Sequence, residues 1–150
     1  MNQPHSTSRT RQAEAVTTVQ EFLDAYASGD LNTASALVAD DLTYRIPGNS
    51  RIAGTHHGRS ALQTLATVAP RRGARQLASS TDQLIATTDG ATVVTFHTLT
   101  GLLDNKPIEL ESNLRFDLDD GRIRAITEYT HHPHETDELF APEYPRRTSQ

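Results

Sequence analysis

The spacing of apolar side chains divides the chain into a helical first half and a stranded second half. Apolar residues recur at intervals of three and four between residues 10 and 28, which predicts an amphipathic helix. Asp30 is placed to cap a second helix that runs to about Val38, and a third helix is predicted from Gly58 to about Val68. Each of these helices has one apolar face to bury.

In the second half the period of the pattern falls to two, which is the period of a strand. The clearest case is residues 108–118, where apolar and polar side chains alternate strictly, as in a sheet with one buried face. Earlier in the chain, residues 42–46 are predicted to form a short strand and residues 49–57 a loop. Long strands joined by hairpin turns are predicted at residues 76–87, 92–103, 108–118 and 121–130.

Helices that precede a run of hairpin-connected strands predict an α+β fold. We expect three N-terminal helices packed on a strongly curved, mainly antiparallel sheet, which makes a cone-shaped α+β barrel around a ligand cavity. Residues 1–9 are expected to form a flexible arm, residues 10–132 the cavity domain and residues 133–150 a C-terminal tail. Within the tail, Leu139-Phe140 either packs back as a clasp or is mobile like the rest.

Composition narrows the classes of function. The 150 residues suit one domain, and a net charge of −5 with no run of Lys or Arg beyond a pair argues against a nucleic-acid partner. The absence of cysteine excludes disulfides, thiolate metal sites and a cysteine nucleophile. No apolar run approaches the roughly 18 residues of a membrane span, and no signal peptide is recognisable, so we expect a cytoplasmic location. No phosphate-binding loop or dinucleotide fingerprint indicates a cofactor.

The last predicted strand carries a candidate acid or base. Strict alternation would place Ile123 and Tyr129 on one face, and Ile126 and Glu128 on the other. A carboxyl group beside an aliphatic side chain is a candidate for proton transfer. The alternative is a solvated glutamate on an exposed strand, since glutamate is rarely buried unless it is paired.

Two more polar side chains are candidates for chemistry. His97 shares a strand face with Leu99, and a neutral imidazole in an apolar pocket can move protons; the alternative is a histidine with a satisfied structural hydrogen bond. The hydroxyl of Tyr44 can donate to a carbonyl or a developing oxyanion, or Tyr44 is simply a core aromatic. Tyr26 and Phe22 are expected to shape the pocket wall.

Five histidines invite comparison with a zinc site, namely His56, His57, His131, His132 and His134. Zinc needs three or four ligands with a supporting second shell of hydrogen bonds. The last three histidines follow the end of a strand, which suits surface side chains better, so no metal is expected. His57 either lines the mouth of the cavity or belongs to a solvated loop.

Three stretches resemble the nuclear transport factor 2-like superfamily, in its SnoaL-like and ketosteroid-isomerase-like branch. They are VQEFLDAYASGDLNTASALVADDLTYRIPG, GTHHGRSAL and LRFDLDDGRIRAITEY, in that order across roughly residues 15–130. The resemblance implies the cone-shaped fold and a homodimer formed through the outer face of the long strands. It does not imply one reaction, because this scaffold hosts isomerases, dehydratases, cyclases, epoxide hydrolases and plain binding modules.

The resemblance can be followed residue by residue. Ketosteroid isomerases carry a tyrosine on the first helix and a basic aspartate before the proline of the first strand, and those positions here are Phe22 and Ile46. Members similar to limonene epoxide hydrolase carry a tyrosine on the first strand, matched by Tyr44, and an Arg and Asp on a middle strand, replaced by His97 and Leu99. Neither pattern of catalytic groups is complete in this chain.

The final strand offers the remaining match. Thr127-Glu128-Tyr129 stands where the epoxide hydrolases have Arg-Asp-Tyr, and SnoaL-like cyclases use an aspartate on this strand as a base. The resemblance places His97 and Glu128 on neighbouring strands facing one cavity. The implied pocket wall consists of Phe22, Tyr26, Ile46, His57, Leu99 and Ile126.

These observations lead to one hypothesis and one rival. The hypothesis is a cofactor-free enzyme of small-molecule metabolism, such as polyketide or terpenoid synthesis, that cyclises, isomerises or dehydrates an apolar carbonyl compound. Glu128 or His97 shuttles the proton, and Tyr44 orients or stabilises the oxygen. The rival is a non-catalytic ligand-binding or dimerisation module of the same fold.

Overall fold

The computed structural model describes residues 4–141, with side chains from residue 8 onward. The four helices of this part are α1 (Pro4–Ser28), α2 (Leu31–Ala36), α3 (Ser60–Ala66) and α4 (Pro133–Leu139). Its six strands are β1 (Val38–Ile46), β2 (Gly54–His57), β3 (Ala74–Ala86), β4 (Thr92–Leu103), β5 (Lys106–Asp119) and β6 (Arg122–Thr130). None of these helices is long and apolar enough to cross a lipid bilayer.

All six strands form one sheet in the order β2-β1-β6-β5-β4-β3. Neighbouring strands are antiparallel except β1 and β6, which run parallel. The predicted α+β fold is therefore confirmed: helices pack on a curved, mainly antiparallel sheet, which is open rather than closed into a full barrel. The concave face of this sheet carries the core and the cavity.

The alternation predicted for the third long strand is also confirmed. On β5, Leu110 and Phe116 are buried, whereas Glu109 and Arg115 are exposed. This pattern distinguishes an inner face that packs on the helices from an outer face in contact with solvent. The inner face holds Phe116 edge-on against Phe22 of α1, with ring centroids 5.8 Å apart.

A β-bulge changes the faces of the last strand. The ladder between β5 and β6 skips Arg124, so two successive residues of β6 lie opposite one step of β5. Ile123 and Ile126 are consequently both fully buried, although strict alternation places them on opposite faces. The prediction that Ile123 shares a face with Tyr129 is wrong, because Tyr129 is 51% exposed on the outer face.

Several boundaries differ from those predicted. Helix α1 begins at Pro4, so residues 4–9 are helical where an arm was expected. Strand β1 begins at Val38, which pairs with β6. Helix α2 therefore ends at Ala36, two residues earlier than predicted. Strand β2 lies within the predicted loop 49–57 and pairs with β1.

The predicted cap of α2 is present, as the carboxylate of Asp30 accepts a hydrogen bond from the backbone N–H of Thr33.

The segment after β6 folds back onto the sheet, as the clasp alternative expected. Leu139 of α4 is 1% exposed and belongs to a second apolar cluster with Leu103 and Leu110. Arg71 holds the helix from outside, since its guanidinium pairs with Glu138 at 3.0 Å and its backbone N–H donates to the carbonyl of Leu139. The remainder of the predicted tail, residues 142–150, lies outside the described residues.

If α4 is an integral part of the fold, truncating its buried side chain should destabilise the whole domain. We expect Leu139→Ala to lower the free energy of unfolding by about 2–5 kcal/mol, the usual cost of emptying a buried leucine site. Ile85→Ala, at a side chain 51% exposed, is the control and should change it by less than about 0.5 kcal/mol. Urea titration monitored by circular dichroism measures both, and an equal effect of the two variants would contradict the packing of α4.

Candidate functional site

A cavity of about 530 Å³ lies between the concave face of the sheet and the ends of α1, α3 and α4. Its size falls in the range of small-molecule sites. Most of its wall is apolar and comes from Ile46, Ile52, Leu65, Val68, Leu99, Leu110, Leu139 and Phe140.

The cavity has a mouth and a floor. At the mouth the lining residues Ala27, Ala66 and Ser79 are exposed to solvent. At the floor, Tyr44 and Leu110 are buried. The cavity is therefore open between α1, α3 and β3, and its closed end lies at β1 and β5.

Glu128 is the one charged side chain among the lining residues of the described chain. It lies on β6 opposite Leu114 of β5 and two residues after the buried Ile126. Burial raises the pKa of its carboxyl group, and within residues 8–141 no donor forms a hydrogen bond with it. A partly desolvated carboxyl group with no hydrogen-bond partner among the described residues is well suited to exchange a proton with a bound molecule.

Tyr44 lies close to Glu128 at the floor of the cavity. The parallel pairing of β1 with β6 sets Tyr44 opposite Ile126, on the face that also carries Glu128. The pKa of the Tyr44 hydroxyl is raised, mainly by burial and further by the negative charge of Glu128. The hydroxyl therefore keeps its proton, and no described acceptor takes it, so it is free to donate to a ligand oxygen.

The first helix supplies a second tyrosine to the wall. Tyr26 stacks on Phe22 with ring centroids 5.7 Å apart, and its hydroxyl donates a long hydrogen bond, 3.4 Å, to the carbonyl of Leu62. Burial raises the pKa of Tyr26 as well. Phe22 is 2% exposed and packs in the core beneath the cavity rather than lining it.

His97 is not placed as predicted. Strand β5 separates β4, which carries His97, from β6, which carries Glu128, so the two strands are not neighbours. The imidazole bonds instead to the hydroxyls of Thr95, at 2.6 Å, and Thr81, at 3.3 Å. Burial lowers its pKa, opposed by the charge of Asp82, and His97 is not among the residues that line the cavity. Its contacts match the alternative of a histidine in a structural hydrogen-bond network.

The other predicted histidines also lie away from the cavity. His57 is exposed on β2, opposite Thr43 of β1. His131 bonds to Asn113 at 2.6 Å, and His132 is the N-cap residue that precedes α4. Within residues 8–141, no three side chains of the metal-binding types converge on one point.

Predicted wall residues divide between the cavity and the core below it. Tyr26, Ile46 and Leu99 line the cavity as expected, whereas Ile126 packs in the core. Sequence reasoning did not select Ser112, which lines the cavity opposite Thr130 on the neighbouring strand. Its signal was present, because Ser112 is a polar residue at an inner position of the alternating strand β5.

The fold agrees with comparisons to known proteins. The sequence profile of the SnoaL-like domain matches residues 19–126. The chain belongs to the SnoaL-like family. No curated protein sequence matches this SnoaL-like chain at a significant level.

Several solved structures share the fold of this SnoaL-like domain. Bal32a, from a soil-derived mobile gene cassette, superposes with a TM-score of 0.75 at 24% identity, over 87% of this chain and 98% of that one. A putative polyketide cyclase from Xanthomonas campestris pv. campestris gives 0.64 at 19% identity, over 87% and 99%. An epoxide hydrolase of M. tuberculosis, similar to limonene epoxide hydrolase, gives 0.63 at 24% identity, over 85% and 90%. At such identities these structures share the fold.

Because the pKa of Glu128 is raised, the stability of the domain should depend on pH. The folded SnoaL-like domain keeps the carboxyl proton of Glu128 to a higher pH than the unfolded chain does. The stability that this proton contributes is therefore complete below the ordinary glutamate pKa and is lost as the pH rises through the raised pKa. We expect Glu128→Gln to unfold at the same temperature as the parent near pH 4 and at a higher temperature at about pH 8. Thermal melts at both pH values measure this. Glu21→Gln, on the exposed surface of α1, should match the parent at both.

Proposed function

We propose that this SnoaL-like domain is a cofactor-free acid–base enzyme that acts on an apolar molecule bearing a carbonyl group. The observation that carries the proposal is the half-buried carboxyl group of Glu128, which has no hydrogen-bond partner among the described residues and lies beside Tyr44 in an apolar cavity. Glu128 is the proton-transfer group, and Tyr44 is the hydrogen-bond donor to the carbonyl oxygen.

The first step is removal of a proton from the carbon next to the carbonyl group. The carboxylate of Glu128 accepts the proton, and the electron pair of the C–H bond moves into the carbonyl to form an enolate. Tyr44 donates its hydrogen bond to the oxygen on which negative charge develops. The raised pKa of Glu128 makes its carboxylate a stronger base, which favours this transfer.

The enolate then has three fates that all start from the same step. A proton returned to another carbon gives isomerisation, loss of a hydroxyl group from the β-carbon gives dehydration, and attack on a second carbonyl carbon forms a ring. In each case the proton held by Glu128 is returned to the product or to the leaving hydroxyl, which restores the carboxylate. The similarity in fold to a putative polyketide cyclase supports cyclisation as the first reaction to test.

Epoxide hydrolysis is supported less well by the same cavity. The members similar to limonene epoxide hydrolase use a paired Arg and Asp on a middle strand, and the aligned residues here are His97 and Leu99. Leu99 lines the cavity as an apolar side chain, and His97 is bonded to Thr95 outside it. Glu128 is then left without a second carboxyl group among the described lining residues. Proton removal needs only one carboxylate, so it fits this site better.

The enzyme proposal predicts exchange of carbon-bound protons with solvent. Apolar ketones of one to three rings, incubated with the protein in heavy water, should incorporate deuterium next to the carbonyl, as measured by mass spectrometry. Glu128→Gln should slow the catalysed exchange by about 10² to 10⁴, since it removes the base and keeps the shape. Tyr44→Phe should slow it by up to about 10² to 10³, the usual loss for one oxyanion donor.

His97→Asn and His134→Ala are the controls for that experiment and should retain most of the exchange. Equal losses in His97→Asn and Glu128→Gln would instead support His97 as a proton carrier. Ketones that bind without any exchange would favour the rival function, a non-catalytic ligand-binding module.

We also propose that two copies pair through the outer face of the sheet. On β5 this face presents Glu109 and Arg115 to solvent, and Tyr129 of β6 is a large apolar side chain 51% exposed there. Charges of both signs around an apolar group can pair across a two-fold axis. Sedimentation velocity at micromolar concentration should give twice the 16.5 kDa of one chain, and Tyr129→Glu should shift it towards the monomer. A monomer for the parent would contradict this assembly.

A further inference from the structure

The charge of the side chains that line the cavity restricts which ligands can bind in it. Among its lining residues within residues 8–141 there is no Lys, Arg or His, and the single charged group is the carboxyl of Glu128. An ionised ligand group buried without a partner is strongly disfavoured, and an anion beside a carboxylate is disfavoured further. The lining therefore discriminates by charge as well as by size.

Arg51 and Arg71 hold segments around the cavity together and do not line it. Arg51 donates through its side chain to two backbone carbonyls, at 3.0 and 2.6 Å. Arg71 is paired with Asp104 at 2.6 Å and with Glu138 at 3.0 Å. The guanidinium groups of Arg51 and Arg71 are thus already bound to other oxygens of the protein, and neither belongs to the residues that line the cavity.

The polar groups that remain free are suited to a neutral oxygen. The hydroxyls of Tyr44 and Ser112 have no hydrogen-bond partner among the described residues, and both line the cavity near Glu128. Thr130, in contrast, is already bonded to Thr136 at 2.9 Å. Two free hydroxyl donors can satisfy the lone pairs of one carbonyl oxygen, whereas they do not neutralise a full negative charge.

We infer that the cavity selects uncharged carbonyl compounds and rejects the corresponding carboxylates, with the carbonyl oxygen at the floor and the hydrocarbon body towards the mouth. This inference rests on the proposed function, because it names the substrate class of the same site. The body packs on Leu65 and Leu99 while the carbonyl oxygen meets Tyr44 and Ser112. Discrimination arises because Glu128 is the only charged side chain among the lining residues that the structure describes.

A pair of probes of nearly equal shape tests the inference by binding alone. 2-Acetylnaphthalene carries a neutral methyl ketone, and 2-naphthoate carries a carboxylate on the same ring system. At about pH 8, tryptophan-free protein allows titration by the naphthalene fluorescence of either probe. We expect the ketone to bind at least tenfold more tightly than the carboxylate.

Two variants locate the origin of the preference. Glu128→Gln should improve binding of 2-naphthoate and lower the ratio of the two dissociation constants, carboxylate over ketone, at least threefold. Glu21→Gln removes the same charge from an exposed position on α1 and should leave this ratio unchanged. Circular dichroism checks that both variants fold.

Three results would overturn the inference: equal or tighter binding of 2-naphthoate, no binding of either probe, or an equal effect of the two variants. Failure of the proposed function is distinguishable, because it appears as ketone binding with the expected preference but without deuterium exchange. Exchange without the charge preference would leave the enzyme proposal standing and remove only the selectivity.

Discussion

The parallel pairing of β1 with β6 is the contact on which this structure depends. It joins two segments that lie about 80 residues apart in the chain and sets Tyr44 opposite Ile126. A parallel pair needs a long crossover connection, and here the crossover consists of β2, α3 and the hairpin strands β3 to β5. Without this pairing the two halves would have separate surfaces, and Tyr44 would not lie beside Glu128.

A carboxyl group at the floor of the cavity works against the stability of the same fold. Partial burial, with no hydrogen-bond partner among the described residues, disfavours the ionised form of Glu128, so the surrounding core has to hold the side chain in place. That core is well packed, since Val19, Phe22 and Phe116 are each at most 2% exposed. A destabilising charge that is retained inside a rigid scaffold is characteristic of functional sites, where preorganisation matters more than local stability.

Helix α4 couples the cavity to the packing of the sheet. Leu110 and Leu139 belong to the second apolar cluster and also line the cavity, so the same side chains contact both the fold and a ligand. The helix is held at its far end by Arg71, which bridges Asp104 and Glu138. A bound molecule that packs on Leu139 therefore adds contacts to the segment that follows β6, and ligand binding should be linked to the stability of α4.

The sequence by itself determined the first three helices, the hairpin strands and the α+β class, because apolar periodicity and turn residues are local properties of the chain. It also identified Glu128 and Tyr44 and left the solvated and core alternatives open for them. The tertiary structure decided which side chains are buried together and which strands are neighbours. The bulge at Arg124 buries Ile123, and strand order places β5 between His97 and Glu128. These outcomes depend on pairing between distant strands, which a period along one strand cannot encode.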